Sequence, residues 1–216
     1  MIKLVIFDLD GVLTSTSNEH FAAWKKIIWK YYKMNIPDEV EKYTKGVSRT
    51  QSLKNIAYHL KIELSDSDII KLSAEKNDLY ISMVSNYTNE NLFPSVIQLF
   101  NYLKEQNIKI ALGSASKNGP LILSRLQITN HFDYIVDPSV CKSKPAPDIF
   151  LNAMNHFGYL PQECIGIEDS QAGIDAINGA GMISIGIIAD GNLLHCNYTF
   201  HDVSSINLQI FTQKGD

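Results

Sequence analysis

Cysteine is scarce. Cys141, Cys164 and Cys196 are the only three in 216 residues. Their number is odd, no CxxC pair occurs, and no Cys/His set has the spacing of a zinc site, which argues against a disulfide-stapled or zinc-built fold. Reduced, ordinary thiols fit a reducing cytoplasm, the expected location. An excess of positive charge is also missing, since 19 Lys and Arg stand against 23 Asp and Glu, for a net charge of −4. That balance leaves no basic surface for a polyanion, so neither nucleic acid nor an acidic membrane is an expected partner, and any phosphate must be held locally. Long apolar runs are absent too. The opening MIKLVIFDLDGVL is too short for a signal peptide, and nothing later approaches a membrane span. The expectation is a soluble, unprocessed monomer.

What is present is enough apolar material, 45% of residues, to fill the core of one large domain or of one domain carrying an insert. Lys3 to Phe7 is a short β-branched run ending in Asp8-Leu9-Asp10-Gly11, the pattern of a buried strand that delivers carboxylates to a loop. Further strands are expected at Ile108 to Leu112, Tyr134 to Val136, Cys164 to Ile167 and Ile183 to Ile187. They end respectively in Gly113-Ser114, Asp137 and Glu168-Asp169 for the first three. Helical patterns fall between them at about 95–106, 118–127, 147–157 and 171–179. This alternation predicts an α/β fold, a doubly wound parallel sheet of Rossmann-like type. Ligands bind such sheets beyond the carboxyl ends of the strands, where Asp8, Asp10, Ser114, Glu168 and Asp169 all fall.

Residues 15–93 break the alternation. Phe21, Trp24, Ile27, Ile28 and Tyr31 recur at helical spacing, and more helix is expected at about 50–61 and 66–84. The expected division is a catalytic core of residues 1–14 and 94–216 with an all-helical cap of residues 15–93. The aromatic stripe reads first as core packing rather than as a ligand box.

Two carboxylates one residue apart, after a buried strand, suit a division of labour in which Asp8 attacks phosphorus and Asp10 moves a proton. A turn built around Gly11 is the alternative for this pair taken alone. Clustered acidic oxygens and a phosphate repel one another, and Mg²⁺ would offset both, with Asp169 as a third protein ligand and Glu168 close by. Ser114 and Lys144 are the candidates to surround a transferring phosphate. Lys144 is followed by Pro145-Ala146-Pro147-Asp148, where two prolines before a helix restrict its backbone.

Asp8-Leu9-Asp10-Gly11-Val12 with Thr14, then Ser114, Lys144-Pro145 and Glu168-Asp169-Ser170, resembles in order and spacing the four motifs of the haloacid dehalogenase superfamily. Thr44-Lys45-Gly46-Val47-Ser48-Arg49, Glu75-Lys76-Asn77-Asp78, Ser114 to Pro120 and Ser143 to Phe150 extend the resemblance to its β-phosphoglucomutase family over nearly the whole chain. The resemblance implies that Asp8 is a phosphorylated nucleophile and Asp10 a general acid and base. It implies Mg²⁺ held by Asp8, Asp10, Glu168 and Asp169, and a transferring phosphate held by Ser114 and Lys144. Arg49, Ser116, Lys117 and Asn118 would grip a second phosphate, and His20, Trp24, Lys45, Gly46 and Lys76 would face the sugar or Asp10 from the cap. The implied partner is a small-molecule sugar phosphate, and the implied reaction joins β-glucose 1-phosphate to glucose 6-phosphate through glucose 1,6-bisphosphate. An Arg fork and backbone N–H groups near a helix start suit phosphate on physical grounds as well. One departure is Ser15, where that family commonly carries Asp between the two threonines. A sugar-phosphate phosphatase of the same fold is the alternative, and a catalytically silent binding domain is a second, disfavoured by the presence of Asp8, Asp10, Lys144 and Asp169 together.

Overall fold

Strand β1, Leu4–Phe7, is buried at all four positions, so its two faces must both be covered. Val5 and Phe7 enter one hydrophobic cluster while Leu4 and Ile6 enter another, as the two-residue alternation of a strand requires. Each fully buried side chain of this kind stabilises the fold by about 1.5–3 kcal/mol. The computed structural model describes residues 1–188 and 191–212, and within them β1 lies inside a six-stranded sheet. The others are β2, Lys109–Leu112, β3, Tyr134–Ile135, β4, Cys164–Glu168, β5, Ile183–Ile187, and β6, Tyr198–Phe200. Their order is β3-β2-β1-β4-β5-β6, and every pairing is parallel. The order reverses at β1, which makes its carboxyl end the natural binding crevice.

The first three helices lie between β1 and β2: α1, Ser17–Tyr32, α2, Arg49–Leu60, and α3, Asp66–Met83. Phe21, Trp24, Ile27 and Ile28 of α1 are buried with Leu53, Ile56 and Leu72 in a third cluster. The expected aromatic stripe is therefore core, while Tyr31 is half-buried and its hydroxyl donates to Glu75. Ser65 and Asp68 close a reciprocal cap at the start of α3, satisfying two of the amide groups that a helix start leaves unpaired. Helices α4, Val96–Glu105, α5, Gly119–Arg125, α6, Asp148–Phe157, and α7, Gln171–Gly179, cover the sheet. Elements read from the sequence agree with these within a few residues. The exception is β6, whose Tyr198-Thr199-Phe200 is short and largely exposed and so carries no run of apolar residues to announce it.

Candidate active site

Pairing of Phe7 with Leu112 on one side and Ile167 on the other places the next residue of each strand, Asp8, Gly113 and Glu168, at one level. The Asp8 N–H donates to the Ile167 carbonyl at 3.0 Å, and the Gly113 N–H to the Phe7 carbonyl at 2.8 Å. Lys144 reaches this point from the loop before α6. Its Nζ lies 2.7 Å from Asp8 Oδ1 and 2.6 Å from Glu168 Oε1, with all three side chains buried. The second Glu168 oxygen accepts from the Ser170 N–H and Oγ–H, each at 2.8 Å. The second Asp8 oxygen accepts from the Asp10 N–H at 3.0 Å.

Burial raises the Asp8 carboxyl to about 6 against the pull of Lys144. Burial, then the charge of Asp8, raises Asp10 to about 8. For Lys144, burial pulls downward, but Asp8 and Glu168 together outweigh it and hold the ammonium above its ordinary value. Burial thus raises both carboxyls of the loop, Asp10 further than Asp8, the direction of separation that suits an acid beside a nucleophile.

Asp8, Glu168 and Asp169 each bring a carboxylate oxygen within 4.8 Å of the others. Asp169 comes this close because Gly11 has φ +82 and no side chain; a Cβ there would sit 2.0 Å from Asp169 Oδ2. Burial, then Glu168 and Asp8, push the Asp169 carboxyl well up. Asp10 Oδ1 is buried without a hydrogen-bond partner. An all-oxygen, acidic set under mutual repulsion, with an orphaned acceptor beside it, fits a hard divalent cation such as Mg²⁺.

Facing these residues, the helical segment closes a cavity of about 190 Å³. Its lining includes Asp8, Asp10 and Ser114 from the sheet side, His20, Trp24, Lys45, Gly46, Arg49 and Lys76 from the helical side, and Ser116 and Lys117 at the rim. Lys76 Nζ donates to His20 Nδ1, and His20 Nε2 lies 3.8 Å from Asp10 Oδ2. The same ammonium stands over the rings of Trp24 at 5.4 Å and Tyr80 at 4.9 Å. Burial, then Arg49, lowers Lys76 to about 7, and burial, then Lys76, keeps His20 well below its ordinary value and therefore neutral. Gly46, at φ +69, rests against the core, since a Cβ would fall 2.0 Å from Ser170 Oγ. The Ser48 N–H donates to Ser143 Oγ at 2.8 Å, a second point where helical segment and sheet domain touch.

Of the fifteen residues singled out in the sequence, eleven line this cavity, and buried Lys144 and Glu168 and half-buried Asp169 gather with Asp8 beneath it. Asn118 is not in the lining. It stands one residue before α5, gives α5 no side-chain cap, and instead its Nδ2 donates to Asn77 Oδ1 at 2.9 Å. Arg49 Nη2 donates to that same oxygen at 2.5 Å. Asn77 is thus the residue that sequence reasoning missed: it joins two candidate phosphate contacts that lie 69 residues apart in number. Its signal was the helical face, because positions 73, 76, 77 and 80 of α3 point one way.

Comparison with known proteins fits this geometry. A family model, that of the haloacid dehalogenase-like hydrolases, matches residues 2–181. The chain belongs to this family. Over 220 residues, all of this chain and 96% of the other, it is 38% identical to the β-phosphoglucomutase of Bacillus subtilis. The crystal structure of a β-phosphoglucomutase from Clostridium difficile superposes with a TM-score of 0.92 at 38% identity, covering 98% of this chain and 96% of that one. A phosphorylated carbohydrates phosphatase of Thermotoga maritima is 29% identical over 185 residues, 84% of this chain and 82% of the other. Membership of the haloacid dehalogenase-like family, with the acidic cluster in place, makes the chain a magnesium-dependent enzyme. Among the described residues no helix is long and apolar enough to cross a membrane.

Proposed function

We propose that the chain is a β-phosphoglucomutase, interconverting β-glucose 1-phosphate and glucose 6-phosphate through a phosphorylated Asp8 and free glucose 1,6-bisphosphate. The observation that carries this reading is that Arg49, Ser116 and Lys117 line the same cavity as Asp8, with Arg49 tied through Asn77 Oδ1 to Asn118. Hydrolysis of a monophosphate needs one phosphate grip, whereas turning a bisphosphate end for end needs two. The full-length likeness to β-phosphoglucomutases supports the same choice over a sugar-phosphate phosphatase.

On this reading residues 15–93 form the cap and residues 1–14 and 94–216 the core. An Asp8 oxygen attacks phosphorus while the neutral Asp10 carboxyl gives its proton to the departing sugar oxygen, and the phosphorus–oxygen bond to the sugar breaks. In the return step Asp10 takes the proton from the sugar hydroxyl that attacks the aspartyl-phosphate. Lys144 and Ser114 hold the oxygens of the group in transfer, and Arg49, Ser116, Lys117 and Asn118 hold the distal phosphate. Lys45, His20, Trp24, Gly46 and Lys76 shape the sugar pocket. Asp8, Asp10, Glu168 and Asp169 would hold Mg²⁺, which when bound neutralises the charge of the transferring phosphoryl group. A monomer in the cytoplasm belongs to the same proposal; the three free thiols support a reducing compartment.

The test is product analysis with β-glucose 1-phosphate in Mg²⁺, following glucose 6-phosphate and free phosphate in parallel, with mass spectrometry to place the phosphate on Asp8. Glucose 6-phosphate is the expected main product, and none is expected from Asp8→Asn or in excess chelator. Release of mainly free phosphate by the unaltered protein would transfer the assignment to a phosphatase.

A further inference from the structure

Helix α3 carries the run Glu75-Lys76-Asn77-Asp78, and its four side chains go separate ways. Glu75 is taken up by Lys30 at 2.7 Å and by the Tyr31 hydroxyl, Asp78 is exposed, and Lys76 turns to His20. Asn77 reaches the place where the helical segment meets the turn before α5. Its Oδ1 accepts from Arg49 Nη2 at 2.5 Å and from Asn118 Nδ2 at 2.9 Å. Three parts of the chain, the start of α2, the later part of α3 and the turn before α5, thus meet at one oxygen.

The chemistry of the three groups fixes which atom does what. A guanidinium can only donate, so the Asn77 atom that it meets is the oxygen, and Asn118 must donate to that oxygen as well. Both lone pairs of the Asn77 oxygen are then occupied, whereas the donors are not used up: Arg49 engages one of five N–H groups and the Asn118 amide one of two. The charge of Arg49 is not balanced either. Among the described residues no carboxylate lies within salt-bridge distance of it, although it is half-buried and stands at the first position of α2, the positive end of the helix, where a cation is unfavourable. The acids at 75 and 78 point elsewhere, and the residue that holds the guanidinium is the neutral counterpart of Asp.

We propose that Asn77 is a positioning residue for the distal phosphate: its neutral oxygen fixes Arg49 and Asn118 at one point while leaving the positive charge of Arg49 to the ligand. A long side chain already held in place loses less freedom on binding. A carboxylate would hold it as firmly but would neutralise the cation and repel the phosphate. The inference rests on the proposed reading for its ligand, a sugar phosphate, and is the same whether that ligand is isomerised or hydrolysed.

Asn77→Ala and Asn77→Asp separate the two parts of the role. Ala, a good helix former, removes the acceptor, whereas Asp keeps its size and an oxygen in place and adds only the charge. Calorimetric titration with β-glucose 1-phosphate, in the Asp8→Asn background to stop turnover, reads affinity, and chemical denaturation reads stability. Asn77→Ala should raise Kd by about threefold to tenfold, the range for one hydrogen bond. Asn77→Asp should raise it further, by more than about tenfold, with stability at or above that of the parent because the new carboxylate pairs with Arg49. A purely structural tether predicts the reverse order, since Asp keeps the tether and Ala does not. Asn77→Asp binding as tightly as Asn77→Ala or more tightly, Asn77→Ala binding at the parent affinity, or a stability loss in Asn77→Asp alongside its loss of affinity would each overturn the proposal. If Asn77→Ala does not fold, Asn77→Asp decides against the parent: weaker binding at undiminished stability supports the role, and any other result ends it. If the Asp8→Asn parent itself binds no β-glucose 1-phosphate, the sugar-phosphate reading falls and this inference with it. If the affinities fall in the expected order but the unaltered protein yields mainly free phosphate, Asn77 keeps its role and the mutase reading alone falls.

Discussion

Among the described residues two lysines are fully buried, Lys76 and Lys144, and they live in opposite electrostatic worlds. Lys144, in the core, lies between two carboxylates at salt-bridge distance and is held above its ordinary value by them once burial is outweighed. Lys76, in the helical segment, has His20, two aromatic faces and Arg49 around it, and burial, then Arg49, bring it down to about 7 against the pull of Asp10. The core site is therefore electrostatically complete by itself. The cap site holds two basic side chains, Arg49 and Lys76, with no carboxylate at salt-bridge distance among the described residues, which on the proposed reading suits a phosphate-bearing sugar. Equal burial with opposite pairing teaches that the first half of the cavity balances its own charges, whereas the second, on the proposed reading, is balanced by a ligand's.

The largest effect expected from this contrast is at Lys144. Lys144→Met leaves Asp8 and Glu168 buried together without a cation and should destabilise the fold by about 3–5 kcal/mol, the range for breaking a buried pair on one side. Chemical denaturation measures it, and Asp8 phosphorylation should be lost as well. A stability change near zero would break the comparison at its core half.

Next in size is Arg49→Ala. One charge-assisted phosphate contact is worth about 1.5–3 kcal/mol, so glucose 1,6-bisphosphate and β-glucose 1-phosphate should bind roughly ten- to a hundred-fold more weakly. Acetyl phosphate, with no distal phosphate, should still phosphorylate Asp8. Wild-type KM and turnover in this variant would show that the cap cations do not grip the ligand.

Lys76→Met should act with the opposite sign from Lys144→Met on stability. Removing a buried cation that has no carboxylate in contact should stabilise the ligand-free protein by roughly 1–3 kcal/mol at neutral pH, while sugar turnover falls. The pH dependence follows from proton binding. Between about 7, the folded value, and 10.5, the ordinary one, the unfolded chain holds a proton at Lys76 that the folded chain has released, so stability rises with pH across that window. Unfolding free energies measured from pH 7 to 10 should lose this rising component in Lys76→Met. Equal slopes in both proteins would sharpen the contrast in the other direction, by placing an unseen counter-charge near Lys76.

The smallest effect is expected at Ser15. Its side chain is exposed, and only its carbonyl meets Tyr87. Ser15→Asp should change the KM for β-glucose 1-phosphate by less than about threefold, as expected for an exposed charge, with Asp8 phosphorylation unaltered. Loss of that phosphorylation in a folded protein would mean that the side chain acts on the core.

The sheet was legible because its central strands are buried on both faces and announce themselves as apolar runs closed by small or acidic residues. Asp8, Glu168 and Asp169 could be grouped from topology alone, since parallel strands end on one side. β6 was not legible, being three largely exposed residues at the sheet edge. Asn77 and Tyr87 escaped for a different reason. Each takes its meaning from a partner more than 25 positions away, Arg49 and Ser15 respectively, and pairing across a cavity or a hinge leaves no periodic mark on either segment. The separation of Asp8 and Asp10 into base-like and acid-like carboxyls was likewise a matter of depth and neighbours, which residue type does not record.

The bond from the Ser48 amide to Ser143 Oγ has a geometric consequence. Each of its ends stands one residue before a cation, Arg49 on the cap and Lys144 on the core, so a single short link sets the spacing between the two places where negative charge is welcome. On the proposed reading the closed protein is a gauge. It rates a sugar by the interval between its two anionic ends, and a hexose bisphosphate fits equally well in either direction because a gauge has no preferred end. A molecule whose phosphates are set closer together would have to stretch that link, and would meet one jaw at a time.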